Sequence, residues 1–499
     1  MTFICINSRM GIYYRQKHQN VYIRQKHHKG GVGLNDKAER FFQSIQNKQV
    51  WFVGLGVSHT PTTQMFAARG VPVTVCDKRS REQIGLPLCE ALEAQGIRLL
   101  LGPDYPESFS GADILFRTPG MYYNLPILQE YRARGGILTS EMEVFCSLCP
   151  CPLYAVTGSD GKTTTTTLIA EMLGAQGYKV HLGGNIGKAL LPGIMEVEPG
   201  DRAVVELSSF QLISMRCAPT VSVVTNVAPN HLDVHGNMEE YTETKRGMVT
   251  HQDAFSSTVL NADNAITAGF APLVRGQHLQ FSMEGPVPNG AYYNKEDGGV
   301  YTVRVGEPPR RVMDASHIRL PGMHNVANYL AAICAVRGQV DTENIRRVAA
   351  EFAGVEHRIE LVRQLDGVRW YNDSIATSPT RSIAGLRAFD RKIIMLAGGY
   401  DKKIPYAPLA PHVVDCVKLL ILCGATADKI QDAVTSYPTY RPGRPEILRV
   451  DDVPAAVAAA RAAATDGDIV SLCPASASFD SYPNFEVRGQ HFKELVNAL

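Results

Sequence analysis

The sequence predicts three successive α/β domains, each built on a largely parallel sheet. Three observations carry that expectation. The chain has 499 residues, more than one hydrophobic core ordinarily serves. Its 45% hydrophobic and 20% charged content is that of a globular protein. Short apolar runs that end in glycine or polar loops, followed by helical patterns, also open three separate stretches.

The first stretch begins with Gln49-Val50-Trp51-Phe52-Val53, a buried-strand pattern running into Gly54-Leu55-Gly56. A second strand over residues 71–75 leads to Asp77, about twenty residues past the glycines, as in dinucleotide-binding folds. His59 stands where a third glycine would complete that fingerprint, so the loop reads as an anchor for a nucleotide or phosphate at a helix start rather than as an NAD site. Thr118-Pro119-Gly120 is expected to be another strand-end loop on the same crevice, simple turn chemistry being the alternative for both. The second stretch opens with Leu153-Tyr154-Ala155-Val156 and continues through strands at 203–205 and 221–225. The third begins near Val355, with strands at 392–396, 419–423 and 468–472 and an alanine-rich helix over 453–464. The expected domains are therefore 35–140, Rossmann-like; 141–354, a P-loop nucleotide-binding domain; and 355–499, Rossmann-like.

Residues 1–34 are rich in Arg, Lys, His and Gln and lack the apolar middle of a secretory signal, so they are expected to be an extension outside the folded chain. No apolar run reaches the roughly 18 to 20 residues of a membrane span. Lys plus Arg, 50, nearly balances Asp plus Glu, 49, which leaves no basic field for nucleic acid or a membrane surface and points to small partners. The 11 cysteines follow no paired framework, so a reducing cytoplasmic location is expected. Cys146, Cys149 and Cys151 cluster, but no second ligand pair completes a metal knuckle.

Chemistry concentrates in the central stretch. A strand leads into Gly158-Ser159-Asp160-Gly161-Lys162-Thr163, and Thr164 continues a threonine-rich helix start. Glycines let backbone N–H groups face phosphate oxygens, Lys162 supplies a point charge and Thr163 a hydroxyl for Mg²⁺. Val156 occupies the usual first glycine, so this is a shortened phosphate loop. Glu206 ends an apolar run beside Leu207 and Ser208, where a second Mg²⁺ ligand would sit. Asn185 lies in a glycine-rich loop and His231 follows another strand, while Lys245 taken alone reads as a solvated helix lysine.

Together these segments resemble the Mur ligases from about residue 35 onward, and among them the D-glutamate-adding branch. The match runs through the phosphate loop, Gly-Gly-Asn-Ile-Gly at 183–187, Glu-Leu-Ser-Ser-Phe-Gln-Leu at 206–212 and Asn-His-Leu-Asp at 230–233 with Lys245 downstream. It continues through Gly322 to Asn328, Glu356-His357-Arg358, Asn372-Asp373-Ser374, Gly398 to Lys402 and Ala475 to Asp480. The resemblance implies ATP-driven addition of D-glutamate to UDP-N-acetylmuramoyl-L-alanine through an acyl phosphate, by a cytoplasmic monomer using ATP and two Mg²⁺ ions. It implies ATP contacts from Gly158, Ser159, Asp160, Gly161, Lys162, Thr163, Thr164, Asn325, Asn328, Arg358 and Asp373. A catalytic and metal centre would comprise Lys162, Thr163, Glu206, His231, Arg358 and Lys245, the last as a carbamate. The UDP-substrate would meet Val57, Ser58, Asp77, Lys78, Arg79, Thr118, Pro119, Gly120, Asn185, Ser208 and His231. D-glutamate would meet Thr377, Lys402, Ser478, Phe479 and Phe485.

Several D-glutamate-adding members carry lysine two residues after the aspartate, where this chain has Ile375; Lys402 remains for a substrate carboxylate. The alternatives are superfamily ligases adding another amino acid, or extending folates with glutamate. The Ser-Ala-Ser-Phe-Asp segment at 476–480 and Asn484 to Gly489 favour D-glutamate, and no Asp-Asn-Pro-Arg-like motif of the diamino-acid ligases is present. A non-catalytic nucleotide-binding protein would have lost some of Lys162, Glu206, His231, Lys245 or Arg358. ATP ligands on two domains imply closure, with a hinge near 354–357.

Overall fold

The computed structural model describes residues 35–56, 58–229, 235, 237–401 and 404–499. The expected 1–34 extension, Val57, His231 and Lys402 lie outside the described residues. The chain divides into two compact units: the residues up to Pro152 with Lys188–Asp201, and Leu153–Gly187 with Arg202–Leu499.

In the first unit Asn35 caps the helix Asp36–Ile45 by accepting the Ala38 N–H. Strands β1 (Val50–Val53), β2 (Val73–Asp77), β3 (Arg98–Leu101), β4 (Ile114–Arg117) and β5 (Ile137–Thr139) form a sheet in the order β3-β2-β1-β4-β5. All its pairings are parallel. β1, β2 and β4 are buried throughout, so they carry the continuous apolar runs of a sheet covered on both faces. Phe52 stacks on Phe116 at 4.5 Å and meets Phe66 edge-on at 5.4 Å, joining β1 and β4 to the helix His59–Ala68. The strand order reverses at β1/β4, which opens a crevice beyond their C-terminal ends, as the sequence predicts.

The second unit holds two sheets. The larger comprises β6 (Leu153–Thr157), β7 (Val180–Gly184), β8 (Arg202–Glu206), β9 (Val221–Val224), β10 (Ser257–Asn261), β11 (Gln277–Ser282), β12 (Gly290–Asn294), β13 (Gly299–Val303) and β14 (Arg310–Asp314). Its order is β14-β13-β12-β11-β10-β9-β6-β8-β7. β13 and β14 pair antiparallel, an extension that the sequence reading does not contain. The helices Lys162–Ala175 and Met323–Ala335 pack on this sheet through Leu168, Ile169, Met172, Tyr329, Leu330 and Ile333. The second helix is apolar nearly all round because it is buried nearly all round.

The smaller sheet runs β15-β16-β20-β17-β18-β19, from β15 (Glu360–Leu365), β16 (Val368–Asn372), β17 (Ile393–Gly398), β18 (Val417–Cys423), β19 (Glu446–Arg449) and β20 (Ile469–Leu472). β16, β20 and β17 are parallel neighbours, so the loops that follow them emerge on one edge. The alanine-rich helix forms as Val453–Ala463, with Asp452 accepting from the Ala455 N–H as its cap.

Candidate functional site

In the first unit Asp77, at the end of β2, holds the glycine loop in shape. Its Oδ2 accepts the Leu55 N–H at 2.7 Å, and Arg79 reaches back with Nε 3.0 Å from Oδ1 and Nη2 2.7 Å from Oδ2. Burial works against that carboxylate, but the hydrogen bonds from Arg79 and Leu55 together hold its pKa below the ordinary value. Gly54, at φ +83°, has no Cβ, and one built there would lie 2.9 Å from Thr118 Cγ2, so the loops after β1 and β4 touch. Ser58 precedes the helix His59–Ala68, Lys78 stands 5.5 Å from the Tyr105 ring, and Thr118, Pro119 and Gly120 follow β4. These residues follow the C-terminal ends of the parallel strands β1, β2 and β4.

In the second unit the phosphate loop joins β6 to the helix Lys162–Ala175. Gly158 and Gly161 are required as glycine: their φ values are +152° and +76°, and added Cβ atoms would lie 1.9 Å from Thr225 Oγ1 and 2.3 Å from Asn328 Oδ1. Ser159 is tied by its N–H to the Asn226 carbonyl at 2.9 Å, and the Asp160 N–H donates to Asn226 Oδ1 at 2.9 Å. The first helical N–H groups, at Lys162, Thr163 and Thr164, have no partners within the helix, an arrangement suited to receiving an anion. Asn325 and Asn328 lie one turn apart on the helix Met323–Ala335, and Asn328 accepts from Thr165 Oγ1 at 3.3 Å.

Two lysines converge on one carbonyl. Lys162 Nζ lies 2.9 Å and Lys245 Nζ 3.0 Å from the Gly158 oxygen. Lys245 is not the solvated helix lysine that its local pattern suggests; it is 1% exposed and stands 4.6 Å from the Tyr241 ring centre. Burial, then repulsion by Lys162, drives its pKa well below that of an ordinary lysine. Lys162 is lowered as well, chiefly by burial, with Glu206 opposing the shift.

Glu206 ends β8 in register with Val156 of β6. Asn185 Nδ2 donates to its Oε1 at 2.7 Å, while Oε2 is buried without a hydrogen-bond partner among the described residues. An orphaned buried carboxylate oxygen beside a phosphate loop fits a divalent cation, and the Thr163 hydroxyl supplies a second hard donor. Among the described residues no three His, Cys, Asp or Glu side chains group together, so Glu206 and Thr163 do not complete such a site by themselves. Ser208 caps the short helix Ser209–Leu212 beside Glu206.

The C-terminal loops contribute Arg358 and Asp373, which interact electrostatically with one another. Asp373 is buried, and desolvation raises its pKa to about 7 against the pull of Arg358. Ser478 is buried, Phe479 is exposed and lies edge-on to Tyr400 with ring centres 5.8 Å apart, and Phe485 lies edge-on to His357 at 6.1 Å. Thr377 follows Ile375, whose carbonyl accepts its N–H at 2.8 Å.

Two arginines are given no role of their own in the sequence reading. Arg488 is buried and donates to Ser374 Oγ (3.0 Å) and to the carbonyls of Ser374 (3.0 Å), Ala477 (3.0 Å) and Ser476 (3.2 Å). One rigid fork thus pins the loop after β16 to the loop after β20. Arg381 interacts with Arg358, Glu206 and Asp373, and also with Lys162. The signal for Arg381 was available in its position: a cation in the first turn of the helix Pro379–Leu386 opposes the helix dipole and calls for an anion. Arg488→Lys keeps the charge and loses the fork, leaving carbonyls unpaired. It is expected to cost roughly 2–4 kcal/mol in thermal or urea unfolding and to raise the amino-acid KM more than it lowers kcat. Equal KM values in the two proteins would remove the positioning role.

Residues 156–336 match the Mur ligase middle domain and residues 357–476 the Mur ligase glutamate ligase domain. The chain is 46% identical over 459 residues to the UDP-N-acetylmuramoylalanine–D-glutamate ligase of Clostridium acetobutylicum, an alignment covering 92% of this chain and 98% of that one. The chain belongs to the Mur ligase family. Mur ligases are ATP-dependent ligases, and the phosphate loop is the part of this chain suited to that nucleotide. A second Mur ligase, the D-glutamate ligase of Acetivibrio thermocellus, is 49% identical over 469 residues, 93% of this chain and all of that one. Among solved structures, the UDP-N-acetylmuramate–alanine ligase of Thermotoga maritima aligns with a TM-score of 0.55 at 16% identity, over 91% of this chain and 100% of that one. Escherichia coli FolC in complex with DHPP and ADP aligns at 0.53 and 17% identity, over 72% and 93%. At those identities the structural likenesses show the Mur ligase fold alone. No helix among the described residues is long and apolar enough to cross a membrane.

Proposed function

We infer that this Mur ligase joins D-glutamate to UDP-N-acetylmuramoyl-L-alanine at the expense of ATP, in the cytoplasm, as a step of peptidoglycan precursor synthesis. The observation that carries the substrate is the 46–49% identity, over at least 92% of the chain, to D-glutamate ligases. We assign UDP-substrate binding to 35–140, ATP to 141–354 and the amino acid to 355–499, with a monomer as the working unit. Val57 and His231 are assigned to the UDP-substrate and Lys402 to D-glutamate on the family resemblance alone, since they lie outside the described residues.

The reaction transfers the γ-phosphoryl group of ATP to the L-alanyl carboxylate, giving ADP and an acyl phosphate. The D-glutamate amine then attacks the acyl carbon, and the tetrahedral intermediate expels phosphate to leave the amide. Each step gathers anionic oxygens, so the residues needed most are donors that face developing charge. Backbone N–H groups at Lys162, Thr163 and Thr164 cradle phosphate, and Lys162 exchanges its bonds to the Gly158 and Ser159 carbonyls for phosphate oxygens. Arg358 and Arg381 bring two further guanidinium groups to the same place. Ser374 to Thr377 and Ser476 to Phe479, pinned by Arg488, hold the amino acid. Thr163 and Glu206 would hold Mg²⁺, with His231 and a carbamylated Lys245 completing two sites; bound there, the metal neutralises phosphate charge as a Lewis acid. Gly354, His357 and Ile359 take positive φ, and we place the closing hinge in that segment. Closure would shield the acyl phosphate from water.

Phosphate release from ATP with UDP-N-acetylmuramoyl-L-alanine present tests the reading. D-glutamate should stimulate it, whereas L-alanine, L-lysine and L-glutamate should not; equal stimulation by any of these removes the substrate assignment. In the same assay Arg381→Met is expected to lower kcat/KM by roughly 10- to 100-fold, and Arg381→Lys to recover part of the loss. Unchanged kinetics in Arg381→Met would take that arginine out of the site.

A further inference from the structure

The cysteines after the helix Glu141–Leu148 play no part in the reaction above. Cys149 ends that helix as its C-cap, with φ −58° and ψ 121°, and Pro150 and Pro152 follow in Cys149-Pro150-Cys151-Pro152. A residue before proline is pushed to extended backbone, and proline fixes its own φ, so this segment has few conformations to choose from. The result is a pair of thiols held together: Cys149 Sγ lies 3.5 Å from Cys151 Sγ and 3.6 Å from the Cys151 carbonyl oxygen. Cys149 is half-buried and Cys151 is 7% exposed, so the first is the more accessible residue of the two.

Local charge agrees with that order. The hydrogen bond from Cys151 lowers the Cys149 thiol most, burial opposes it, and Lys37 assists against Asp201. Burial instead raises the thiols of Cys76, Cys334, Cys416, Cys423 and Cys473. Among the described residues no three metal-binding side chains group, which leaves exchange chemistry rather than a metal knuckle at this cluster.

We propose that Cys149 and Cys151 form a dithiol modification site that exchanges with low-molecular-weight disulfides, Cys149 attacking and Cys151 resolving. The Cys149 thiolate attacks one sulfur of the external disulfide, forming a mixed disulfide and releasing one thiolate. Deprotonated Cys151 then attacks the Cys149 sulfur, closing the Cys149–Cys151 bond and releasing the second thiolate. Two protein thiols are oxidised and one external disulfide is reduced to two thiols. The closed ring would lock the segment just before the chain first leaves the first compact unit, after Pro152.

The test uses the full chain with oxidised glutathione, quenched with an alkylating agent and read by intact mass and peptide mapping. The expected product has lost about 2 Da in the peptide carrying residues 149–151, with no glutathione retained there, and forms at least about tenfold faster than any modification at another cysteine. Cys151→Ser should stop at a glutathione adduct on Cys149, and Cys149→Ser should slow reaction at the segment. A stable adduct on Cys149 of the unaltered chain, or faster reaction at another cysteine, would overturn the proposal. The readout is independent of ligase activity.

Discussion

Lys162→Ala is expected to reduce D-glutamate-dependent phosphate release by about a thousandfold or more, roughly 4 kcal/mol of transition-state stabilisation. The expectation follows from where the lysine stands. It is the first residue of its helix, its ammonium is folded onto the Gly158 and Ser159 carbonyls, and it shares its surroundings with Glu206 and Asp160. Nothing in that arrangement needs the lysine for folding, because the helix start and the loop are secured by Asn226, Thr225 and the two glycines. The variant should therefore unfold within a few degrees of the unaltered protein while losing turnover. Lys162→Arg keeps the charge but brings a wider group to a closely packed carbonyl cage, and should recover less than a tenth of the rate. Full turnover in Lys162→Ala, measured with saturating ATP, would end the phosphate-loop assignment.

How much of this was legible beforehand depended on range. The phosphate loop, Glu206 at a strand end and Asp77 beyond the glycines are local patterns, in which a strand, a turn and a helix start lie within a few residues, so the sequence carries them openly. The alternation of apolar strands with helical stretches likewise gave the three sheets. Strands β12 to β14 were missed because two short antiparallel hairpins, the first turning at Asp297-Gly298, add to an otherwise parallel sheet without changing the surrounding pattern. Lys245 was invisible for a different reason. Its helix, Met238–Thr250, is polar on average, and burial of one lysine comes from what packs over it, the Tyr241 ring and the end of β6. Arg488 is similar: its four acceptors lie 11 to 114 residues away, so no window of sequence contains them. Gly489 beside it was the available hint, since a Cβ there would meet His357 Nδ1 at 2.2 Å. A helical glycine that cannot be replaced marks a helix pressed against something.

Lys245→Ala is expected to lower turnover by roughly 10²- to 10³-fold, and short carboxylates such as acetate or formate should restore part of it. A buried lysine 3.0 Å from a carbonyl that also accepts from Lys162 is a poor place for a second ammonium. Its pKa falls with burial and with that repulsion, so the neutral amine is more accessible here than in an exposed lysine. A neutral amine is the form that adds to carbon dioxide, and the product is an anion facing Lys162. The change is therefore favourable in sign, because the adduct gains an attraction to Lys162 that the neutral amine does not have. Because the adduct forms from the neutral amine and releases a proton, its occupancy should rise with pH and with dissolved bicarbonate, and activity should follow. Lys245→Glu places a shorter carboxylate on the same stem and should exceed Lys245→Ala in rate. Two observations would exclude the carbamate: no gain from bicarbonate in protein stripped of carbon dioxide at low pH, and no carboxylate rescue of Lys245→Ala. In that case the alanine variant's loss would be assigned to the hydrogen bonds to Thr157 and Gly158, and stability should fall together with turnover.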